Sequence, residues 1–169
     1  HQGSLGGMYG VLFGRPYAFR EGFFIWPWTF FLFVMSAVAS GPAMTMLVAT
    51  FMEKLTGKKL VSFQTKAFMG RIAGTMLVVY MIFKLWDTWA WANNLLPKMG
   101  LTFDQLFYST IYGKWLLWTE LGLCGVLPAI ILVSSLRNKP WLLYTAAILD
   151  CAGIVINRYV FTVQSIAQP

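Results

Sequence analysis

The sequence predicts an all-α, polytopic transmembrane helical bundle, and three observations carry that prediction. Hydrophobic residues make up 58% of the chain and charged residues only 11%, against roughly 25% charged in an ordinary globular domain. Between Glu21 and Glu53 no side chain carries a charge, whereas about 20 apolar residues suffice to cross the hydrocarbon core. Tryptophans gather at one end of the apolar runs and lysines at the other, which is the layering of a membrane interface.

The apolar runs lie near residues 23–52, 68–92, 115–136 and 141–166, and each is long enough to span as a helix. Small residues in the first run, Ser36, Ala39, Ser40, Gly41 and Ala43, permit close backbone approach, as do Gly122 and Gly125 in the third. Pro27, Pro42 and Pro128 should kink or locally unwind their helices, with neighbours satisfying the freed carbonyls. The connections are EKLTGKK, then NNLLPKMGLTFDQLFYSTIYGK, then the short RNKP.

In a four-span chain, the first and third connections share one side of the membrane. Lys54, Lys58, Lys59, Arg137 and Lys139 fall there, with Lys66 and Arg71 at the next helix start, while Arg15, Arg20, Lys98 and Lys114 fall on the other. The positive-inside rule then makes residues 53–66 and 137–140 cytoplasmic, and places residues 1–22, 93–114 and the C-terminus outside. Trp26, Trp28, Trp86, Trp89, Trp91, Trp115 and Trp118 cluster at the outer ends, and only Trp141 at the inner. An aromatic belt accounts for them better than ligand stacking does.

The net charge of +7 does not indicate nucleic acid, because the basic residues are scattered between apolar runs rather than gathered on one face. Cys124 and Cys151 each sit inside an apolar run and have the spacing of neither a zinc site nor a redox pair, so both are expected to pack in the core. One histidine, His1, cannot supply both axial ligands of a bis-histidine haem, and no CxxCH site for attached haem is present. No phosphate-binding glycine loop, zinc helix or nucleophile elbow appears. The chain starts without methionine, shows no cleavable signal peptide, and stops at Gln168 and Pro169 without a polar tail, as expected of part of a longer protein.

Arg71, Lys84, Asp87, Glu120, Asp150 and Arg158 lie within or near the spans. Each is costly in lipid and should face the bundle interior beside a partner. Depth matching at about 1.5 Å per residue puts Asp87, Glu120 and Arg158 in one outer layer, with Lys84 a turn from Asp87. Glu120 and Arg158 are expected to form a salt bridge there. Asp150 falls about 14 Å into the last span, near mid-membrane, with no basic residue at i+3 or i+4. The layer reads equally as a structural ion network or as a proton or substrate route. Two function classes remain open: a membrane subunit that handles a lipid-soluble redox carrier, and a transporter or channel lined by these charges.

HQGSLG, followed by FFIWPWTFFLFVMSAVASG, WTELGLCGVLPAIIL and RNKPWLLYTAAILDCAGIVINRY, resembles the NrfD family of quinone-interacting membrane subunits over nearly the whole chain, most closely its ten-helix DsrP and HybB branch. The resemblance implies that residues 1–22 hold the end of a preceding helix and an outer loop, and that residues 23–169 form a four-helix bundle of a larger two-bundle protein. It implies electron exchange between menaquinone and an extracytoplasmic, ferredoxin-like iron–sulfur subunit, alongside other membrane or cytochrome subunits of a respiratory complex in a prokaryotic cytoplasmic membrane. In the DsrP-like case the pathway is sulfite or sulfate respiration. Most of the quinone pocket would then belong to the other bundle, with no haem or metal in this chain. His1 and Gln2 become quinone-binding candidates, since an imidazole near the membrane surface can hydrogen-bond a quinone carbonyl and exchange its proton. The alternative is a proton- or ion-conducting module in which Lys84, Asp87, Glu120, Asp150 and Arg158 form the route and redox chemistry happens elsewhere.

Overall fold

The structure, a computed structural model, describes residues 28–95, 97, 100, 102 and 114–166. Among these, every regular element is helical. Helix α1 (Trp28–Thr56) leads through a short turn to α2 (Phe63–Ala90), which widens into a π-helical segment, π1 (Trp91–Leu95). The third span is composite: α3 (Lys114–Trp118), π2 (Thr119–Val126) and α4 (Leu127–Val133). After a 3₁₀ turn at Ser135–Asn138, α5 (Pro140–Ile166) closes the bundle.

Local chemistry sets these boundaries. Gly57, at φ 67°, takes the left-handed position that ends α1, and its N–H bonds Glu53 O at 2.9 Å. Ser62 caps α2 by accepting from the Thr65 N–H at 3.2 Å. That cap makes the polar stretch before residue 68 helical, so α2 begins earlier than the apolar pattern alone predicts. Arg137 bonds Val133 O at 2.6 Å and Ser134 O at 2.8 Å, stopping the third span short of residue 136. Pro140 then occupies the first position of α5, where a missing N–H costs nothing.

α1 packs on α2 and α5, α2 on α4, and α5 on π2 and α4, so the four spans form a ring with α2 and α5 on a diagonal. Two apolar clusters fill it. Leu32, Ala39, Leu77, Tyr80, Met81, Leu117, Leu121 and Ala129 occupy the tryptophan-rich half, and Ala43, Met46, Ala73, Ile131, Leu132, Leu143, Ala146 and Ala147 the lysine-rich half. Outside the ring, Trp86, Trp89, Trp115, Trp118 and Trp141 are exposed, along with Phe51, Phe68, Ile82 and Val155, as befits a surface solvated by lipid. By length and composition α1, α2 and α5 can cross a membrane, whereas the apolar helix of the third span, Thr119–Val133, is shorter.

Small residues bring the helices together, at Ser36, Ala39, Ala43 and Gly125 as expected and at further glycines besides, though not at every expected position. Ala39 and Ala43 are buried, yet Gly41 and Gly122 face open space. The close approaches are at Gly74, where an added Cβ would lie 2.5 Å from Leu132 Cβ and 3.0 Å from its backbone carbon, and at Gly153, against Cys124. Gly74→Ala should therefore force α2 and α4 apart and destabilise the bundle by about 1–3 kcal/mol. Gly41→Ala, with nothing within 4 Å, should leave stability unchanged or slightly raised. Thermal unfolding of the two variants in the same detergent checks the contrast.

Candidate functional site

The ring closes around a polar layer in the tryptophan-rich half. α2 contributes Lys84 and Asp87, on one face a turn apart; π2 contributes Glu120; α5 contributes Asn157 and Arg158; α1 contributes Ser36. Lys84, Asp87, Glu120, Asn157 and Ser36 are all buried. Asn157 Nδ2 donates to Glu120 Oε1, and Lys84 Nζ stands 3.4 Å from the same oxygen. The other carboxylate oxygen, Oε2, is buried without a hydrogen-bond partner.

Arg158 goes elsewhere. Its Nη2 donates to Ser36 Oγ at 2.7 Å, its guanidinium carbon lies 3.5 Å from the centroid of the Phe33 ring, and Ser36 Oγ in turn donates to Phe33 O at 2.8 Å. The expected Glu120–Arg158 bridge is thus replaced by Glu120–Lys84 and Glu120–Asn157. The reason is helical phase: consecutive residues on α5 diverge by about 100°, so Asn157 faces the third span while Arg158 faces α1. Depth matching located the layer correctly, but depth carries no information about phase. Asn157 and Ser36 were not among the expected site residues. Asn157 lies two turns from Asp150, on the same helix face, and that spacing is the signal that could have found it.

The backbone that presents Glu120 is itself irregular. Through TELGLCGV the third span winds as a π-helix, ending with the Leu127 N–H bonded to Gly122 O, and Pro128 follows at the first turn of α4. Proline supplies no N–H, and two glycines hold the α-helical ladder weakly, so the wider winding is favoured here. Insertions of this type are frequent at functional sites. Gly125 leaves room for Met81, whose sulfur would lie 2.5 Å from an added Cβ.

Asp150 stands apart from the layer. It is 1% exposed, and neither carboxylate oxygen has a hydrogen-bond partner. It lies on the face of α5 that carries Ala146 and Ala147 and, two turns or about 10 Å further, Asn157. Buried Cys124 lies one turn from Glu120 on π2 and packs against Gly153, one turn from Asp150 on α5, so the two acids flank it along the bundle axis. Both cysteines are free thiols: Cys124 is buried, and Cys151 packs against the lysine-side core. Among the described residues no group of three His, Cys, Asp or Glu is placed to hold a metal ion. Arg71 is exposed near the lysine-rich end, and His1 and Gln2 lie outside the described residues.

The family model for polysulphide reductase, NrfD, matches residues 4–169. A curated relative, the integral membrane subunit of menaquinone reductase from Nitratidesulfovibrio vulgaris (strain Hildenborough), is 71% identical over 171 residues. That alignment takes in 100% of this chain and 41% of the relative, so the chain spans about two-fifths of the relative's length. No solved structure matches the chain.

Proposed function

The chain belongs to the polysulphide reductase, NrfD, family, and from that premise we propose that it is a helical portion of a membrane subunit that exchanges electrons between menaquinone and an extracytoplasmic iron–sulfur partner. The observation that carries the proposal is 71% identity, across the whole chain, to a subunit named for menaquinone reduction. That name supports the quinone end of the reaction. The iron–sulfur partner, accompanying membrane or cytochrome subunits, and a DsrP-like place in sulfite respiration rest on the sequence resemblance. Menaquinone is a substrate in this reading, and His1 and Gln2 are the residues of this chain assigned to it. His1→Ala, in the protein as it occurs in its complex, should lower quinone-linked electron transfer at least about tenfold at normal complex abundance. Wild-type turnover would remove His1 from the site.

A second function is favoured by a separate observation, the unpartnered carboxyl of Asp150 with the open oxygen of Glu120 beyond it. In this reading Asp150, Glu120 and Lys84, with Asp87 and Arg158 bordering them, pass protons along the bundle while redox chemistry happens elsewhere in the protein. The supporting feature is chemical: a carboxyl without fixed partners gives up and accepts a proton without breaking a network. Both readings place the protein in a prokaryotic cytoplasmic membrane with the lysine-rich end inside. Cysteine introduced at Lys58 should then react with an impermeant maleimide only from the cytoplasmic face, and at Gln168 only from outside. Labelling of both from one face would overturn the four-span topology.

A further inference from the structure

At the lysine-rich end, the turn between α1 and α2 is built around one carboxylate. Glu53 Oε1 accepts from the Leu60 N–H at 3.0 Å and the Val61 N–H at 2.8 Å, while Oε2 is held by Lys66. Folding the turn back in this way opens a cavity of about 450 Å³ between it and the N-terminal part of α5, lined by Glu53, Lys59, Ser62, Phe63, Lys66 and Tyr144. Tyr144, half-buried on α5, lines the cavity together with Lys66. Glu53 is thus fully occupied by Lys66 and two backbone donors. Lys59 in the wall, with exposed Lys54 at the end of α1 and exposed Lys58 on the turn nearby, leaves the site with positive charge to spare.

The rim of the cavity is greasy. Leu55, Leu60, Phe63, Phe68 and Trp141 are all exposed around this end, where the spans leave the bilayer. A ligand that satisfies both features carries an anionic head and apolar tails. A soluble anion would leave the apolar rim unused, and a zwitterionic lipid would leave the excess lysine charge unanswered. We propose that this cavity binds the phosphate of an anionic glycerophospholipid, with Lys59 as its principal cation, Tyr144 as a hydroxyl donor and the acyl chains lying over the neighbouring apolar side chains. The role of Glu53 is to fix Lys66 and the turn, not to contact the lipid phosphate.

The test uses the intact membrane protein, purified in mild detergent, stripped of lipid, and supplied with micelles containing phosphatidylglycerol, phosphatidylcholine or neither, with retained lipid counted by native mass spectrometry. Phosphatidylglycerol should be retained at one molecule per chain and should raise the unfolding temperature, whereas phosphatidylcholine should do neither. Lys59→Gln should weaken retention about fivefold, the effect expected of one lysine at an anionic lipid surface, and Lys59→Gln with Tyr144→Phe should weaken it further. Lys139→Gln, at the same end but outside the cavity wall, should bind as wild type. Circular dichroism of each variant confirms an intact bundle. Equal retention of both lipids, or unchanged phosphatidylglycerol retention in the double variant, would overturn the proposal. So would protection by millimolar inorganic phosphate equal to that by phosphatidylglycerol, which would assign the cavity to a soluble anion.

Discussion

Lys84→Met is expected to destabilise the bundle by about 3–5 kcal/mol, because it leaves Glu120 buried and charged with only a neutral amide beside it. The pair is 3% and 5% exposed, so water cannot take over the role of the lost ammonium. Adding Glu120→Gln to Lys84→Met removes the stranded charge, and the glutamine can still accept from Asn157. The double variant should therefore recover most of the loss, and a double-mutant cycle measured by unfolding in detergent should return a large coupling energy. Additive losses would mean that Lys84 is not the partner of Glu120. The corresponding cycle between Glu120→Gln and Arg158→Gln should be additive to within about 0.5 kcal/mol, since Arg158 is engaged with Ser36 and Phe33 on α1.

Asp150→Leu should have the opposite signature. Replacing a buried carboxyl whose oxygens have no hydrogen-bond partner by an apolar side chain of similar size removes a desolvation cost of about 1–3 kcal/mol, so the variant should unfold at a higher temperature than wild type. If Asp150 passes protons, the same variant should lose proton uptake by about 10²-fold while electron transfer persists in the presence of an uncoupler. The two readouts separate the roles. Greater stability with proton uptake retained would make Asp150 an idle buried acid. Lower stability would show that the carboxyl has a partner that the leucine lacks.

The contrast between these residues also shows what a membrane sequence makes legible. Four helical stretches, with the ends that the structure describes lying within about five residues of the apolar runs, and the half of the bundle that holds the charges all follow from hydropathy and residue counting, because the bilayer fixes length and depth along a single axis. Rotation about that axis is set by packing, and here it is written in single glycines. Gly74 and Gly153 decide which faces meet, while Gly41 and Gly122, equally small, meet nothing. Hence Glu120 finds Lys84 and Asn157 rather than Arg158. The π-helical winding of the third span was equally hard to read, since glycine and proline mark a weak ladder without saying whether it kinks or widens. Ser62 had a visible signal, a serine three residues before Thr65 at the start of a polar stretch, which is the pattern of a capped helix.

Membership of this chain in a menaquinone-reactive subunit can be tested by following electron exchange with a menaquinone analogue in the purified complex, with and without the subunit that contains the chain. The complete complex should retain bound menaquinone and turn the analogue over, and both should be lost when the subunit is removed although the remaining subunits still exchange electrons with a soluble dye. Menaquinone turnover at the full rate by the complex lacking this subunit would contradict it.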